Sequence, residues 1–145
     1  MSAMSGSWLF WAVLSAVFAA LTAIFAKVGV ENVNSDFATF IRTIVVIVAL
    51  AGILTFTGTW QAPASITTRT YTFLVLSGLG TGASWLCYFH ALKVGDAARV
   101  APIDKLSVVL VAIFGAAFLG EKLNPGNWLG VALIGAGAIL VAYKF

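Results

Sequence analysis

The fold class of this chain is decided by the stretch Arg99-Val-Ala-Pro-Ile-Asp-Lys-Leu-Ser-Val-Val-Leu-Val-Ala-Ile-Phe-Gly-Ala-Ala-Phe-Leu-Gly-Glu121. Its apolar run is long enough to cross a bilayer, which takes about 20 residues of helix. It nevertheless holds Asp104 and Lys105 inside the run, with Pro102 just before them. Ionisable groups in a membrane are costly unless they have a partner or a purpose. The stretch therefore predicts a membrane helix whose charges need an explanation.

The composition of the whole chain agrees with a membrane protein. Of its 145 residues, 61% are hydrophobic and 9% are charged, whereas soluble domains carry roughly 25% charged residues. Five segments are long and apolar enough to span a bilayer, at about 8–26, 36–56, 71–92, 97–119 and 128–143. The sequence predicts an all-α membrane protein with five transmembrane helices in one domain, 1–145. The N-terminal run lacks the basic region of a signal peptide and is predicted to be a retained helix.

The basic residues predict how the helices are oriented. Five spans place the two termini on opposite sides, and the cytoplasmic ends of membrane helices are rich in Lys and Arg. One side carries Lys27, Arg42, Lys93, Arg99, Lys105 and Lys144, and the other carries Arg69 and Lys122. This difference predicts that the N-terminus is outside and the C-terminus inside.

A group of charged residues is expected at one level of the membrane. Helices one and three end on the side where helices two and four begin, which brings Lys27, Arg42, His90, Asp104 and Lys105 to similar depth. Asp104 is the one acid in the group, so it should pair with Arg42, Lys27 or Lys105. Neighbouring residues on a helix diverge by about 100°, which favours Arg42 as the partner. Positive charge remains after that pairing.

Aromatic and hydroxyl side chains at helical spacing predict a substrate path. The candidates are Trp11, Ser15 and Thr22 on helix one, Thr39, Arg42 and Thr43 on helix two, Thr81, Ser84, Trp85, Tyr88 and His90 on helix three, and Asp104, Lys105 and Ser107 on helix four. The alternative for each hydroxyl is a hydrogen bond to a helix backbone. Arg42 and Asp104 could equally form a structural ion pair, and His90 could be an interfacial histidine. Pro102 can kink the start of helix four.

The last helix has neither charges nor hydroxyls in its central part and is rich in small residues. Small residues let a second helix approach closely in a membrane. Gly130, Ala132, Gly135, Ala136 and Gly137 form such a surface, which would be the seam of an oligomer. The alternative is that these residues form a packing seam inside the chain.

Several classes of site have no signal in the sequence. No metal-ligand cluster, glycine-rich phosphate loop or nucleophile–base pair is found, so no catalytic residue, metal or cofactor is expected, and an enzyme is disfavoured. Cys87 is the single cysteine and can form no internal disulfide. The net charge of +3 is too small to predict a nucleic-acid partner.

Four stretches and the glycine-rich last helix carry a family resemblance. They are Phe40-Ile-Arg42-Thr, Tyr88-Phe-His-Ala-Leu-Lys-Val-Gly95, Arg99-Val-Ala-Pro-Ile-Asp-Lys-Leu-Ser-Val and Phe118-Leu-Gly-Glu-Lys-Leu123. Over nearly its whole length the chain resembles the EamA-domain group of the drug/metabolite transporter superfamily. Members typically have ten helices in two inverted repeats. The resemblance implies that this chain is a single half-size repeat. It implies pairing as a homodimer, with the antiparallel arrangement favoured, or with a similar half-size chain.

In its pattern Gly130-x-x-Leu-Ile-x-x-Gly137, the last helix also looks like the dimerising helix of the small multidrug-resistance exporters. This resemblance implies a dimer seam at Gly130, Leu133, Ile134 and Gly137. Helix one of this chain has no glutamate in mid-membrane. The proton and cation chemistry of those exporters is therefore not expected here.

The function predicted from these features is secondary transport. The substrate would be a small polar or amphipathic metabolite, moved across the inner membrane by alternating access at the interface of two repeats. The positive charge near Arg42 favours an anionic substrate. Two alternatives stay open, a subunit of a lipid-linked sugar flippase and a non-transporting membrane assembly subunit. Membrane lipid is the expected surrounding in each case.

Overall fold

A computed structural model describes residues 7–143 of the chain, and they form helices joined by short loops. The helices are α1 (Trp8–Gly29), α2 (Ser35–Thr57), α3 (Thr68–Val94), α4 (Ala97–Asp104), α5 (Ser107–Phe118) and α6 (Pro125–Ala142), with one 3₁₀ turn at Pro63–Ser65. No strand occurs in this part of the chain. Counting α4 and α5 as one, five helices are long and apolar enough to cross a membrane. The predicted all-α class and its five spans are confirmed.

The chain divides into two compact units. Among the described residues, the first unit comprises 7–25 and 94–143, and therefore holds most of α1 together with α4, α5 and α6. The second unit comprises Ala26–Lys93, which holds the end of α1 together with α2 and α3. The single domain expected from the sequence stays a prediction.

Apolar side chains on the helices are largely exposed. Phe56 is 96% exposed and Phe118 is 81% exposed, and most other large apolar residues are exposed as well. Soluble monomers rarely expose apolar surface on this scale. In a helix the backbone N–H and C=O groups are satisfied within the segment, as hydrocarbon surroundings require. The exposed surface is therefore that of an integral membrane protein.

Local sequence explains where α2 and α6 begin. The Oδ1 atom of Asn34 accepts from the N–H groups of Asp36 at 2.8 Å and Phe37 at 3.2 Å. At α6, Asn124 Oδ1 accepts from the N–H of Asn127 at 2.8 Å, and Pro125 occupies the first helical position. Each asparagine thus satisfies N–H groups that have no partner within the helix.

The fourth span is interrupted, whereas the sequence predicts one helix over 97–119. α4 ends at Asp104 and α5 begins at Ser107. Pro102 lies inside α4 and offers no N–H to the carbonyl four residues earlier, which weakens this turn. Beyond it, four N–H groups donate to the carbonyl three residues earlier, at 3.0 to 3.1 Å: those of Lys105, Leu106, Val108 and Val109. This tighter 3₁₀ pattern separates the two helices.

Basic side chains bind backbone carbonyls at or near helix ends. In the second unit, Lys27 Nζ donates to the carbonyl of Leu92 at 2.8 Å, and Lys93 Nζ donates to that of Val33 at 2.6 Å. In the first unit, Arg99 Nη2 donates to the carbonyl of Ala142 at 2.6 Å. Cations are favourable at helix C-termini, where the carbonyls lack partners and the helix dipole is negative. Lys144, counted above for orientation, lies outside the described residues.

Replacing Arg99 with alanine is expected to destabilise the first unit. The substitution removes a hydrogen bond that joins the start of α4 to the end of α6. Because the Arg99 side chain is 38% exposed, we expect a loss of about 1.5 kcal/mol, the lower end for a charged donor. Equilibrium unfolding in detergent, followed by circular dichroism, measures it. Arg69→Ala, an exposed arginine in the first turn of α3, is the matched control, and an equal loss there would contradict the prediction.

Candidate functional site

Arg42 lies against aromatic rings in the second unit. It is about two turns into α2, and its guanidinium carbon is 4.0 Å from the centroid of the Trp85 ring and 5.4 Å from that of Phe89. Both distances are within the range of a cation–π interaction. Tyr88, which precedes Phe89 on α3, lies near the same guanidinium. We call Arg42, Trp85, Tyr88 and Phe89 the Arg42 cluster.

The spacing along α3 explains why two of these rings meet one arginine. Trp85 and Phe89 are four residues apart, so they lie on the same face of the helix. Phe89 is only 3% exposed, while Arg42 and Trp85 are half-buried. The cluster therefore combines a fixed apolar base with a cation that is still partly accessible.

The sequence identifies three members of the cluster and misses Phe89. Arg42, Trp85 and Tyr88 are candidates for the substrate path, and the structure brings Arg42 and Trp85 into contact. Phe89 is absent from the candidates for the substrate path because these are limited to charged, hydroxyl-bearing and amphipathic aromatic residues. The four-residue spacing from Trp85 is the signal that could have identified it.

No carboxylate of the second unit neutralises Arg42. Within residues 26–93 the acids are Glu31 and Asp36, and neither forms an ion pair there. The two ion pairs of the described chain lie in the first unit, between Arg99 and Asp96 at 4.0 Å and between Lys105 and Asp104 at 3.2 Å.

Asp104 thus has Lys105 as its partner, which is one of the three alternatives given above. Its Oδ2 accepts from Lys105 Nζ at the point where α4 ends. The favoured pairing of Asp104 with Arg42 would join the two units and stays a prediction. Of the other predicted charges, Lys27 binds the Leu92 carbonyl and His90 is exposed on α3. The common membrane level of all these charges stays a prediction as well.

The hydroxyl candidates bind their own helices where the structure gives them partners. Thr39, Thr43 and Thr81 each donate to the carbonyl four residues earlier, at 2.9, 2.8 and 2.9 Å. This is the alternative named above. A hydroxyl that donates in this way keeps lone pairs that can accept a hydrogen bond, so a place in a substrate path stays a prediction.

The remaining candidates are distributed over both units. Trp11, Ser15 and Thr22 lie on α1, Ser84 lies on α3, and Ser107 is the first residue of α5. Thr22 is half-buried, and the other four are exposed.

Helix α6 presents two different faces. A Cβ atom at Gly135 would lie 3.3 Å from Val109 Cγ2 of α5, and Ala138 is buried. By contrast, a Cβ atom at Gly130 or Gly137 would have no neighbouring atom within 4 Å. Leu133 and Ile134, also predicted for the seam, are exposed. Within the described residues, α6 therefore packs on α5 through one face and leaves the face of the predicted seam open.

Comparison with known proteins places this arrangement of helices in a family. The model of the EamA-like transporter family matches residues 6–143. The chain belongs to this family. The resemblance seen in the sequence is thereby confirmed, and the chain is an integral membrane protein of a transporter family. No solved structure matches it.

Three relatives differ in how much of their own length this EamA-like chain covers. An uncharacterized transporter in the cobO 3′ region of Sinorhizobium sp is 69% identical over 96% of the chain and 99% of the relative. The uncharacterized transporter YxxF of Bacillus subtilis is 26% identical over 96% of the chain but only 43% of the relative. A UDP-N-acetylglucosamine/UDP-N-acetylgalactosamine transporter, nstp-4 of Caenorhabditis elegans, is 40% identical over 38% of the chain and 16% of the relative.

Proposed function

We propose that the chain is a secondary transporter, and not an enzyme, that carries a small polar or amphipathic organic anion across the inner membrane of a prokaryotic cell. The observation that supports an anion is the Arg42 cluster. An arginine inside a span is costly, and the acids of its own unit leave its charge unneutralised. An anionic group of a substrate would neutralise that charge.

The transport unit in this proposal is a dimer that works by alternating access. The Sinorhizobium relative is matched over 99% of its length, whereas the Bacillus relative is matched over 43%. Proteins of both sizes thus exist among the relatives, which agrees with one repeat in the shorter and two in the longer. The open face of α6 at Gly130 and Gly137 is the proposed contact between two copies, or between this chain and a similar half-size chain.

The orientation of the copies is part of the same proposal. The distribution of basic residues favours an outside N-terminus, whereas an antiparallel homodimer needs copies inserted both ways. Single cysteines near each terminus, in a Cys87→Ser background, distinguish these arrangements. An impermeant thiol reagent that labels each terminus in part of the population, from one side of intact cells, supports the antiparallel homodimer. Labelling of one terminus alone contradicts it.

The substrate class has limited support from the relatives. The Caenorhabditis relative is named for UDP-sugars, whose diphosphate is anionic. We take from this only that an oxyanion is a reasonable class of substrate for the chain.

Reconstitution in proteoliposomes tests the proposed function. The purified chain is given a panel of labelled monocarboxylates, phosphate esters, neutral sugars and organic cations, and protein-free liposomes give the background. We expect saturable uptake of at least one anion. Transport of neutral or cationic probes alone would contradict an anionic substrate, and translocation of a lipid-linked sugar with no uptake of soluble probes would favour the flippase alternative.

A further inference from the structure

We propose that Trp85 orients the Arg42 guanidinium so that its N–H edge binds an oxyanion with two coplanar oxygens, as in a carboxylate or a phosphate group. The inference rests on the proposed function, because it specifies how the same arginine recognises its anion. It makes Trp85 a positioning residue and Arg42 the group that touches the anion.

The planar guanidinium can stack on a ring through its face and donate hydrogen bonds through its edge. The group is planar, and its five N–H donors point outward in that plane. Arginine commonly stacks the plane of its guanidinium on an aromatic face. The Arg42 guanidinium carbon lies over the Trp85 ring, 4.0 Å from its centroid, and stacking at this distance leaves the N–H edge available. Among the described residues, no hydrogen bond has Arg42 as its donor.

The surroundings hold this arrangement in place. Phe89 is buried, and its ring centroid lies 5.4 Å from the same guanidinium carbon. Both rings come from one face of α3, so their positions are fixed by a rigid helix. A side chain that is already oriented loses less conformational entropy when it binds a ligand. The cluster therefore orients the N–H edge of the Arg42 guanidinium before a ligand with two oxygens binds.

The shape of the donor edge predicts which anions bind. Guanidinium donors fit carboxylate and phosphate in a bidentate manner, whereas lysine presents only a point charge. A spherical anion such as chloride cannot use two parallel donors in this way. We therefore expect propionate and inorganic phosphate to bind, chloride to bind much more weakly, and Arg42→Lys to be a poor substitute for the native residue.

Fluorescence of Trp85 reports on the site directly. The other four tryptophans, Trp8, Trp11, Trp60 and Trp128, are replaced with phenylalanine in the full-length chain, and circular dichroism and gel filtration in detergent check its fold. We expect propionate or phosphate to change the emission saturably at constant ionic strength, and chloride to leave it unchanged. Arg42→Gln should abolish the response, and Arg42→Lys should weaken binding about tenfold, equivalent to about 1.4 kcal/mol. Calorimetric titration of the chain with its native tryptophans repeats the measurement should the single-tryptophan variant not fold.

Transport kinetics test the positioning role of Trp85. Trp85→Leu should raise KM about tenfold, again about 1.4 kcal/mol, with kcat changed little, and Trp85→Phe should restore part of the loss. A purely structural role would lower the amount of folded protein without this difference between KM and kcat, and that result would overturn the role of Trp85.

The outcomes separate this inference from the proposed function. If Arg42→Lys binds and transports anions as well as the native chain, charge alone suffices and the inference is wrong, while anion transport stands. If propionate and phosphate bind at Arg42 but no anion is transported, the site is supported and the proposed function fails. A response to phosphatidylglycerol added to the detergent, without a response to either soluble anion, supports the oxyanion site and assigns it to a lipid headgroup.

Discussion

Arg42→Gln is expected to lower kcat/KM for anion uptake into proteoliposomes by about a hundredfold, which corresponds to about 2.8 kcal/mol of lost binding. Glutamine keeps a polar side chain, but it is shorter and loses the positive charge and the forked donors. In a site of low dielectric constant, removing one member of a close charge pair costs about 2 to 5 kcal/mol. Initial uptake rates over a range of substrate concentrations measure the change.

The matched control is Arg69→Gln. It makes the same chemical change in the same unit, but Arg69 is exposed in the first turn of α3. Its uptake should equal that of the native chain. Thermal unfolding in detergent checks both variants, and Arg42→Gln should not be less stable, because it removes a charge from a membrane span. Unchanged uptake of every transported anion by folded Arg42→Gln would show that Arg42 is not part of the substrate path.

The membrane fold could be predicted because hydropathy alone determines it. Segments of about 20 apolar residues have few alternatives to a spanning helix, and each predicted boundary lies within three residues of the observed one. The sequence predicts a kink at Pro102 near the start of the fourth span, but not the division of this span into α4 and α5. It depends on the change to three-residue hydrogen bonds after Asp104, which no residue type specifies.

The structure gives a physical reason for Gly120, which the sequence alone does not. Phe118-Leu-Gly-Glu-Lys-Leu123 contributes to the family resemblance without a physical reason for its glycine. In the structure Gly120 has a φ of 69° just after α5 ends, a conformation that costs other residues about 1 kcal/mol or more. The glycine therefore allows the chain to leave the helix there.

Side-chain partners could be predicted only in part. Lys27, Lys93 and Arg99 were used to predict orientation, yet each binds a backbone carbonyl. Because every residue has a backbone carbonyl, the residue types do not indicate which carbonyl a lysine or arginine binds. Arg42 and Trp85 were each identified from the periodicity of their own helix, but periodicity does not determine which residues on two helices meet.

The proposed dimer seam on α6, at Gly130 and Gly137, should be sensitive to a bulky side chain. Gly137→Leu is expected to convert the proposed dimer into monomers and to lower uptake at least about tenfold, because a helix approaching that face would meet a bulky side chain. A Cβ atom at Gly137 has no neighbouring atom within 4 Å, so the described chain itself accommodates the larger residue. Leucine also favours helix over glycine by roughly 0.8 kcal/mol. The folded monomer should therefore not be less stable.

Gly52→Leu on α2 is the matched control for this substitution. Gly52, like Gly137, is half-buried and has no atom within 4 Å of its Cβ position, but it lies on a helix outside the proposed seam. Cross-linking and mass photometry in detergent measure the oligomeric state of both variants. Loss of dimers in Gly137→Leu alone assigns the contact to α6, because the two substitutions add the same bulk. Dimers that persist in Gly137→Leu would contradict the seam, since no close approach of helices at that residue tolerates a leucine.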